Sequence, residues 1–126
     1  MPKPEKQTLT KLELQIMQAI WRVGPSNVAA VQEALAQDLA YTTVQTMLNI
    51  LERKGKLKRT LQGRAFVYSA TVSEAKASTH AVRDLVDRMF GGSSEDLVMS
   101  LIKNRQIDPK KIAELSRRLE AEGEDA

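Results

Sequence analysis

Between Tyr41 and Tyr68, YTTVQTMLNILERKGKLKRTLQGRAFVY, the spacing of apolar side chains changes from a helical to an extended period within a few residues. Val44, Met47, Leu48 and Leu51 recur at i, i+3, i+4 and i+7, which at about 100° per residue gathers them on one side of a helix. Leu57, Arg59 and Leu61 then alternate as a strand does. Gln62, Gly63 and Arg64 supply a tight turn, and the β-prone Phe66, Val67 and Tyr68 make the return strand. Gly55 sits at the change of period, where a left-handed residue can end the helix. An amphipathic helix that runs straight into a hairpin needs a scaffold for its apolar side, and the preceding residues supply one.

Thr10 and Glu13 form a T-x-x-E capping box, with Leu9 and Leu14 at the two staple positions around it. They mark the start of a first helix that carries Leu12, Ile16, Met17, Ala19 and Ile20 to Trp21, a core anchor at its end, before Gly24 and Pro25 break it. Asn27 is the N-cap of a shorter second helix through Val28, Val31, Ala34 and Leu35. The order helix, helix, helix, hairpin is the winged form of helix-turn-helix. The sequence therefore predicts a mainly α protein, with a winged helix-turn-helix domain over residues 1–71 and a helical dimerisation domain over residues 72–126.

In that second part, Ser73 starts a fourth helix whose stripe of Ala75, Ala81, Val82, Leu85, Val86, Met89 and Phe90 runs to Gly91 and Gly92. Ser93 or Ser94 caps a fifth, with Leu97, Val98, Leu101 and Ile102, and Asp108 followed by Pro109 opens a sixth, with Ile112, Leu115 and Leu119. The acidic tail EAEGEDA is expected to fray. Chains below roughly 70 residues rarely bury enough apolar area on their own, so these stripes need a partner. The economical partner is a second copy, meeting the first through Val82, Leu85, Met89, Leu97, Leu101, Ile112, Leu115 and Leu119. The competing arrangement packs these helices back onto the winged helix of the same chain.

Opposite the apolar side of the third helix lie Thr42, Thr46, Asn49 and Arg53, flanked by Thr43 and Gln45, and no carboxylate occurs from Ala40 to Leu51. Asn and Gln can pair with adenine in a major groove, and a Thr methyl can meet a thymine methyl. Thr42, Thr43, Gln45, Thr46 and Asn49 are the candidate base readers, with Tyr41, Arg53, Lys54, Lys58 and Arg64 on phosphates or at the wing. Charge is concentrated in the same segment. Tyr41 to Ala70 holds six Lys/Arg against one Asp/Glu, whereas the residues before it balance four against four and those after it nine against eleven. A local positive field of this kind supplies counterion-release affinity for double-stranded DNA. Two other classes share parts of the pattern: a winged-helix protein-interaction module, whose hairpin need not be basic, and a nonspecific nucleoid-binding protein, which needs no base-reading face.

Catalysis finds little support. His80 is the only histidine and there is no cysteine, which removes disulfides, thiolate metal sites and a Cys/His nucleophile pair. Neither G-x-G-x-x-G nor G-x-x-x-x-G-K-[ST] occurs, and no metal or cofactor is expected. No apolar run approaches a membrane span and the start MPKPEKQ lacks a signal-peptide core, so the expectation is a cytoplasmic protein that does not insert into membranes.

LTKLELQIMQAIW, TTVQTMLNILERKGKLKR, FVYSATVS and MFGGSSEDLVMSLIKN, in that order and spacing, resemble the penicillinase repressor family, which includes the β-lactamase and methicillin-resistance repressors and copper-responsive relatives. The resemblance spans roughly Leu9 to Leu119. It implies a homodimeric winged-helix repressor that holds a pseudo-palindromic operator until a signal relieves it. In the β-lactam-responsive members that signal is a cut at an Asn-Phe bond in the fifth helix, made by a protease under a membrane sensor. The matching positions here are Ser100 and Leu101, which makes them the implied cleavage site, with a different residue pair. The copper-responsive members carry a C-terminal cysteine cluster, and a chain without cysteine cannot release DNA by that route.

Overall fold

The computed structural model describes residues 9–125, with side chains described to residue 123. Its elements are α1 (Lys11–Val23), α2 (Val28–Ala34), α3 (Tyr41–Arg53), β1 (Leu57–Gln62), β2 (Ala65–Ala70), α4 (Glu74–Met89), α5 (Ser94–Lys103) and α6 (Pro109–Asp125). The fold is mainly helical, with one antiparallel hairpin, as the sequence predicts. Among the described residues no helix is long and apolar enough to cross a membrane.

Helix boundaries fall where the capping chemistry puts them. The Thr10 hydroxyl accepts from the Glu13 amide at 3.2 Å while the Glu13 carboxylate accepts from the Thr10 amide at 2.9 Å, closing the capping box of α1. Of the two staple positions, Leu9 packs against the core, whereas Leu14 is exposed. Asn27 caps α2 by accepting from the Ala30 amide at 2.8 Å. Helix α3 ends in a Schellman motif. Lys56 N–H donates to the Leu51 carbonyl and Gly55 N–H to the Glu52 carbonyl, with Gly55 at φ +81. In the hairpin, Gln62 pairs with Ala65 across the two-residue turn Gly63-Arg64. Only the first of these has positive φ, the pattern of a type II′ turn, whose twist matches that of the strands.

One core unites α1, α2, α3 and the root of the hairpin: Ile16, Met17, Ile20, Val28, Val31, Val44, Leu48, Leu51, Leu57 and Tyr68. Leu12, Trp21, Leu35 and Met47 line its edge, so the apolar stripes read from the sequence converge here. A contact that the sequence did not suggest joins the helical and hairpin parts. Ser26, between α1 and α2, exchanges two backbone hydrogen bonds with Tyr68 (2.8 and 3.0 Å), adding a single bridge to the edge of β2.

The chain divides into two compact units, residues 1–81 and 82–126. The sequence-based boundary at residue 71 marks the end of the wing, whereas the compact units divide inside α4. Within the second unit, Ser93 caps α5 through the Asp96 amide, and Asp108 caps the start of α6 through the Lys110 amide at 2.8 Å. The acidic tail continues α6 to Asp125 instead of leaving the helix after Leu119. Its Glu and Ala residues are good helix formers. Val86 is the only buried hydrophobic residue of this unit among those described.

Candidate nucleic-acid interface

With Val44, Leu48 and Leu51 fully buried, α3 has one orientation available to it, and the opposite side is presented to solvent. Tyr41, Thr42, Thr43, Gln45, Thr46 and Arg53 are all exposed. They form a neutral, hydrogen-bonding surface that becomes basic at its C-terminal end.

The start of α3 is open. Ala40, in its cap position, offers no side-chain hydrogen bond, and the first turn contains no acid. Val44 N–H donates to the Ala40 carbonyl, so the amides of Tyr41, Thr42 and Thr43 precede the first helical bond. Unpaired amides at the positive end of a helix dipole are an anion-binding arrangement, and here they lie beside the exposed Thr42 and Thr43 hydroxyls.

Asn49 differs from its neighbours on this face. It is half-buried, and its Oδ1 accepts from the Tyr68 hydroxyl at 3.1 Å. Its carbonyl ties the recognition helix to the hairpin, and its NH₂ group makes no hydrogen bond with any described residue. The sequence names Asn49 as a candidate base reader. The internal bond follows from Tyr68, whose buried ring brings a hydroxyl that must find a partner.

Lys54, a candidate phosphate contact in the sequence, has an internal partner. Its Nζ lies 3.0 and 2.9 Å from the two carboxylate oxygens of Glu13, a side chain that is itself buried. The pair links the end of α3 to the start of α1. Burial alone would raise the Glu13 pKa, but the hydrogen bonds from Lys54 and from the Thr10 backbone outweigh it and hold the carboxyl below its ordinary value.

On the wing, Arg59 lies 3.6 Å from the Glu52 carboxylate and 4.3 Å from the centre of the Phe66 ring. Arg53, Lys56, Lys58 and Arg64 make no ion pair with any described residue. Lys58 projects from the side of β1 opposite the buried Leu57, and Arg64 is exposed in the turn at the hairpin tip. Thus the local positive excess survives the internal pairing of two of its six members.

Sequence reasoning missed Glu13 as the partner of Lys54 because its capping-box role already accounted for it. It missed the Tyr68 hydroxyl because that residue was read only as part of a strand. In the second unit Val82, Leu85, Met89 and Leu119 are 53, 42, 71 and 66 % exposed, while Leu97, Leu101, Ile112 and Leu115 are half-buried. Ser100 and Leu101 lie within α5, both half-buried, and their carbonyls accept from the Asn104 and Gln106 amides. Among the described residues, no group of His, Asp or Glu is placed to hold a metal ion.

A family model described as penicillinase repressor matches residues 9–121. The chain is 29 % identical over 114 residues to the penicillinase repressor of Bacillus licheniformis, covering 89 % of each chain. It is 20 % identical over 109 residues to the methicillin resistance regulatory protein MecI of Staphylococcus aureus, covering 85 % of this chain and 89 % of that one. Among solved structures, the DNA binding domain of the repressor BlaI aligns with a TM-score of 0.50 at 32 % identity, over 60 % of this chain and 92 % of that domain.

Proposed function

The chain belongs to the penicillinase repressor family, a group of DNA-binding transcriptional repressors and not of enzymes, and on that premise we propose that it works as a homodimer on a pseudo-palindromic operator. Thr42, Thr43, Gln45 and Thr46 enter the major groove as base readers. Tyr41, the open amides of α3, Arg53, Lys58 and Arg64 hold phosphates or the wing's groove. The observation that carries this reading is the exposed face of α3 formed by Tyr41, Thr42, Thr43, Gln45 and Thr46, free of carboxylates as far as Leu51, fixed in orientation by a buried opposite side and flanked by cations without an ion pair among the described residues. A nonspecific binder needs the cations and gains nothing from the neutral face.

Dimerisation is supported by the second unit's own burial. A unit with Val86 as its only buried hydrophobic among the described residues gains little from folding alone, and Val82, Leu85, Met89 and Leu119 leave apolar area for a second copy to cover. Two recognition helices related by a two-fold axis would meet successive major grooves about 10 base pairs apart, or a multiple of that.

Relief of repression is left to a signal acting on the dimer. Cleavage between Ser100 and Leu101, by a membrane-sensed protease or any other, requires the last turn of α5 to open first, because a protease binds an extended chain and this peptide is helical.

Selection of DNA by the full chain from a random pool tests the reading. The expected result is an inverted repeat of one short half-site at a fixed spacing. Retained fragments with no shared sequence would overturn it in favour of nonspecific binding.

A further inference from the structure

We infer that Tyr68 fixes Asn49 as a hydrogen-bond donor toward DNA, so that the base facing Asn49 is read as guanine in preference to adenine. The inference deepens the operator reading above and rests on it. Asn49 becomes a further specificity residue, with Tyr68 as the positioning residue behind it.

Asn49 follows Thr46 by three positions and Thr42 by seven, so it continues their side of α3 by one more turn toward Arg53. Unlike them it is half-buried, against the hairpin. Tyr68 is itself held from several sides. Its ring is 2 % exposed and belongs to the core shared with α1, α2 and α3. Its backbone N–H and carbonyl both bond to Ser26, at 2.8 and 3.0 Å, and on its other side it pairs with Arg59 of β1. The hydroxyl therefore reaches Asn49 from a fixed point, 3.1 Å from Oδ1.

That contact decides which way round the Asn49 amide sits. The hydroxyl proton has Oδ1 as its acceptor, and the hydroxyl makes no other hydrogen bond with a described residue. Turning the amide over would set NH₂ against the hydroxyl and leave a buried proton unmet, which shifts an equilibrium by about fivefold to about a hundredfold. Oδ1 thus faces the hairpin, and the NH₂ group is turned away from that contact.

An asparagine with both groups free pairs with adenine, accepting from N6 while donating to N7. Such a pairing needs Oδ1 and NH₂ on one base edge, and here Oδ1 is engaged with Tyr68. Guanine presents N7 and O6, two acceptors and no donor, which suits an outward NH₂ group. Thymine offers one acceptor beside a methyl, and cytosine, with its N4 donor, is the worst match.

The test uses the full chain and an operator obtained by selection from a random pool, each half-site position being replaced in turn by the other three base pairs. Asn49→Ala identifies the position that Asn49 faces as the one where a preference is lost. There the wild type should bind guanine about fivefold better than adenine, the effect of one neutral hydrogen bond. Tyr68→Phe keeps the ring and frees Oδ1, and should move the preference toward adenine by about fivefold at that position and no other. Asn49→Asp keeps an acceptor for Tyr68 and turns an oxygen outward, so cytosine should replace guanine as the preferred base, with lower affinity for every sequence. A wild-type preference for adenine there would overturn the inference. So would a Tyr68→Phe profile equal to that of the wild type, or an Asn49→Ala profile that changes at no position. If the wild type selected no shared sequence, the operator reading would fail first and take this one with it. Should Tyr68→Phe fold poorly, the exchange of guanine for cytosine by Asn49→Asp decides the matter.

Discussion

Replacing Lys54 by Met should unlatch the end of the recognition helix from the start of α1. In the native protein the Glu13 side chain is 4 % exposed and that of Lys54 21 %, and both carboxylate oxygens are within 3.0 Å of the ammonium. Removing one partner of a fully buried pair costs about 3 to 5 kcal/mol, because the other charge is stranded; water at the ammonium end reduces that here to about 2 kcal/mol. Urea unfolding with a slope of about 2 kcal/mol per molar would then show the midpoint falling by about 1 M. The pH dependence has a definite sign. Glu13 has a folded pKa below its ordinary 4.5, so its stabilisation is complete above that value and is lost as pH falls through the folded one. Wild type and variant should therefore converge in stability below pH 4.5. A midpoint that moves by less than about 0.25 M would refute the reasoning, since that is the effect of a solvated surface pair. The same variant tests whether Lys54 meets Glu13 in place of a phosphate. The salt dependence of operator binding should be unchanged, and a slope reduced by about one unit would return Lys54 to the phosphates.

Arg64→Ala should weaken all DNA sequences alike and lower the salt slope by about one unit in binding titrations, whereas Thr46→Ala should cost about 1 to 3 kcal/mol of discrimination between operator and mismatched DNA. Tyr68→Phe removes the hydroxyl that holds Asn49 and should destabilise by about 1 kcal/mol in thermal or urea unfolding; no loss would mean that the Asn49 bond is replaced by water without penalty. Arg105 adopts φ 59 at the end of α5, so Arg105→Gly should stabilise by up to about 1 kcal/mol, and a destabilised variant would show that the side chain itself is needed there. Leu119→Asp, at a position 66 % exposed in the single chain, should leave that chain folded and yield monomers in sedimentation; a persistent dimer would place the interface elsewhere.

Much of this architecture was legible in the residues because it depends on local chemistry. Caps at Thr10, Asn27, Ser93 and Asp108 act over one helical turn, and the change of period at Gly55 is written directly in the chain. The outward face of α3 follows from its inward face by geometry alone. The features that escaped are long-range polar ones. Glu13 meets Lys54 across 41 positions, Trp21 meets Val72 across 51, and Ser26 pairs with a strand that the sequence shows only as the return of the hairpin. Each joins two groups that local spacing explains separately, so nothing in either segment announces the other. Asn49 and Lys54 show the same limit: their residue types and positions suit a groove, and only the folded chain reveals that each also has an internal partner.

Ala40 illustrates a cost that such a protein carries. Serine or aspartate in its place would close the start of α3 and add about 1 kcal/mol to the stability of the free chain. That gain would fill, with the protein's own oxygen, the amides that a phosphate can use, and aspartate would add a charge that repels one. On the proposed reading, stability in solution and grip on DNA thus compete for an amide in the first turn of α3. The alanine leaves the start of the helix uncapped, and on that reading a phosphate of the operator is what completes it.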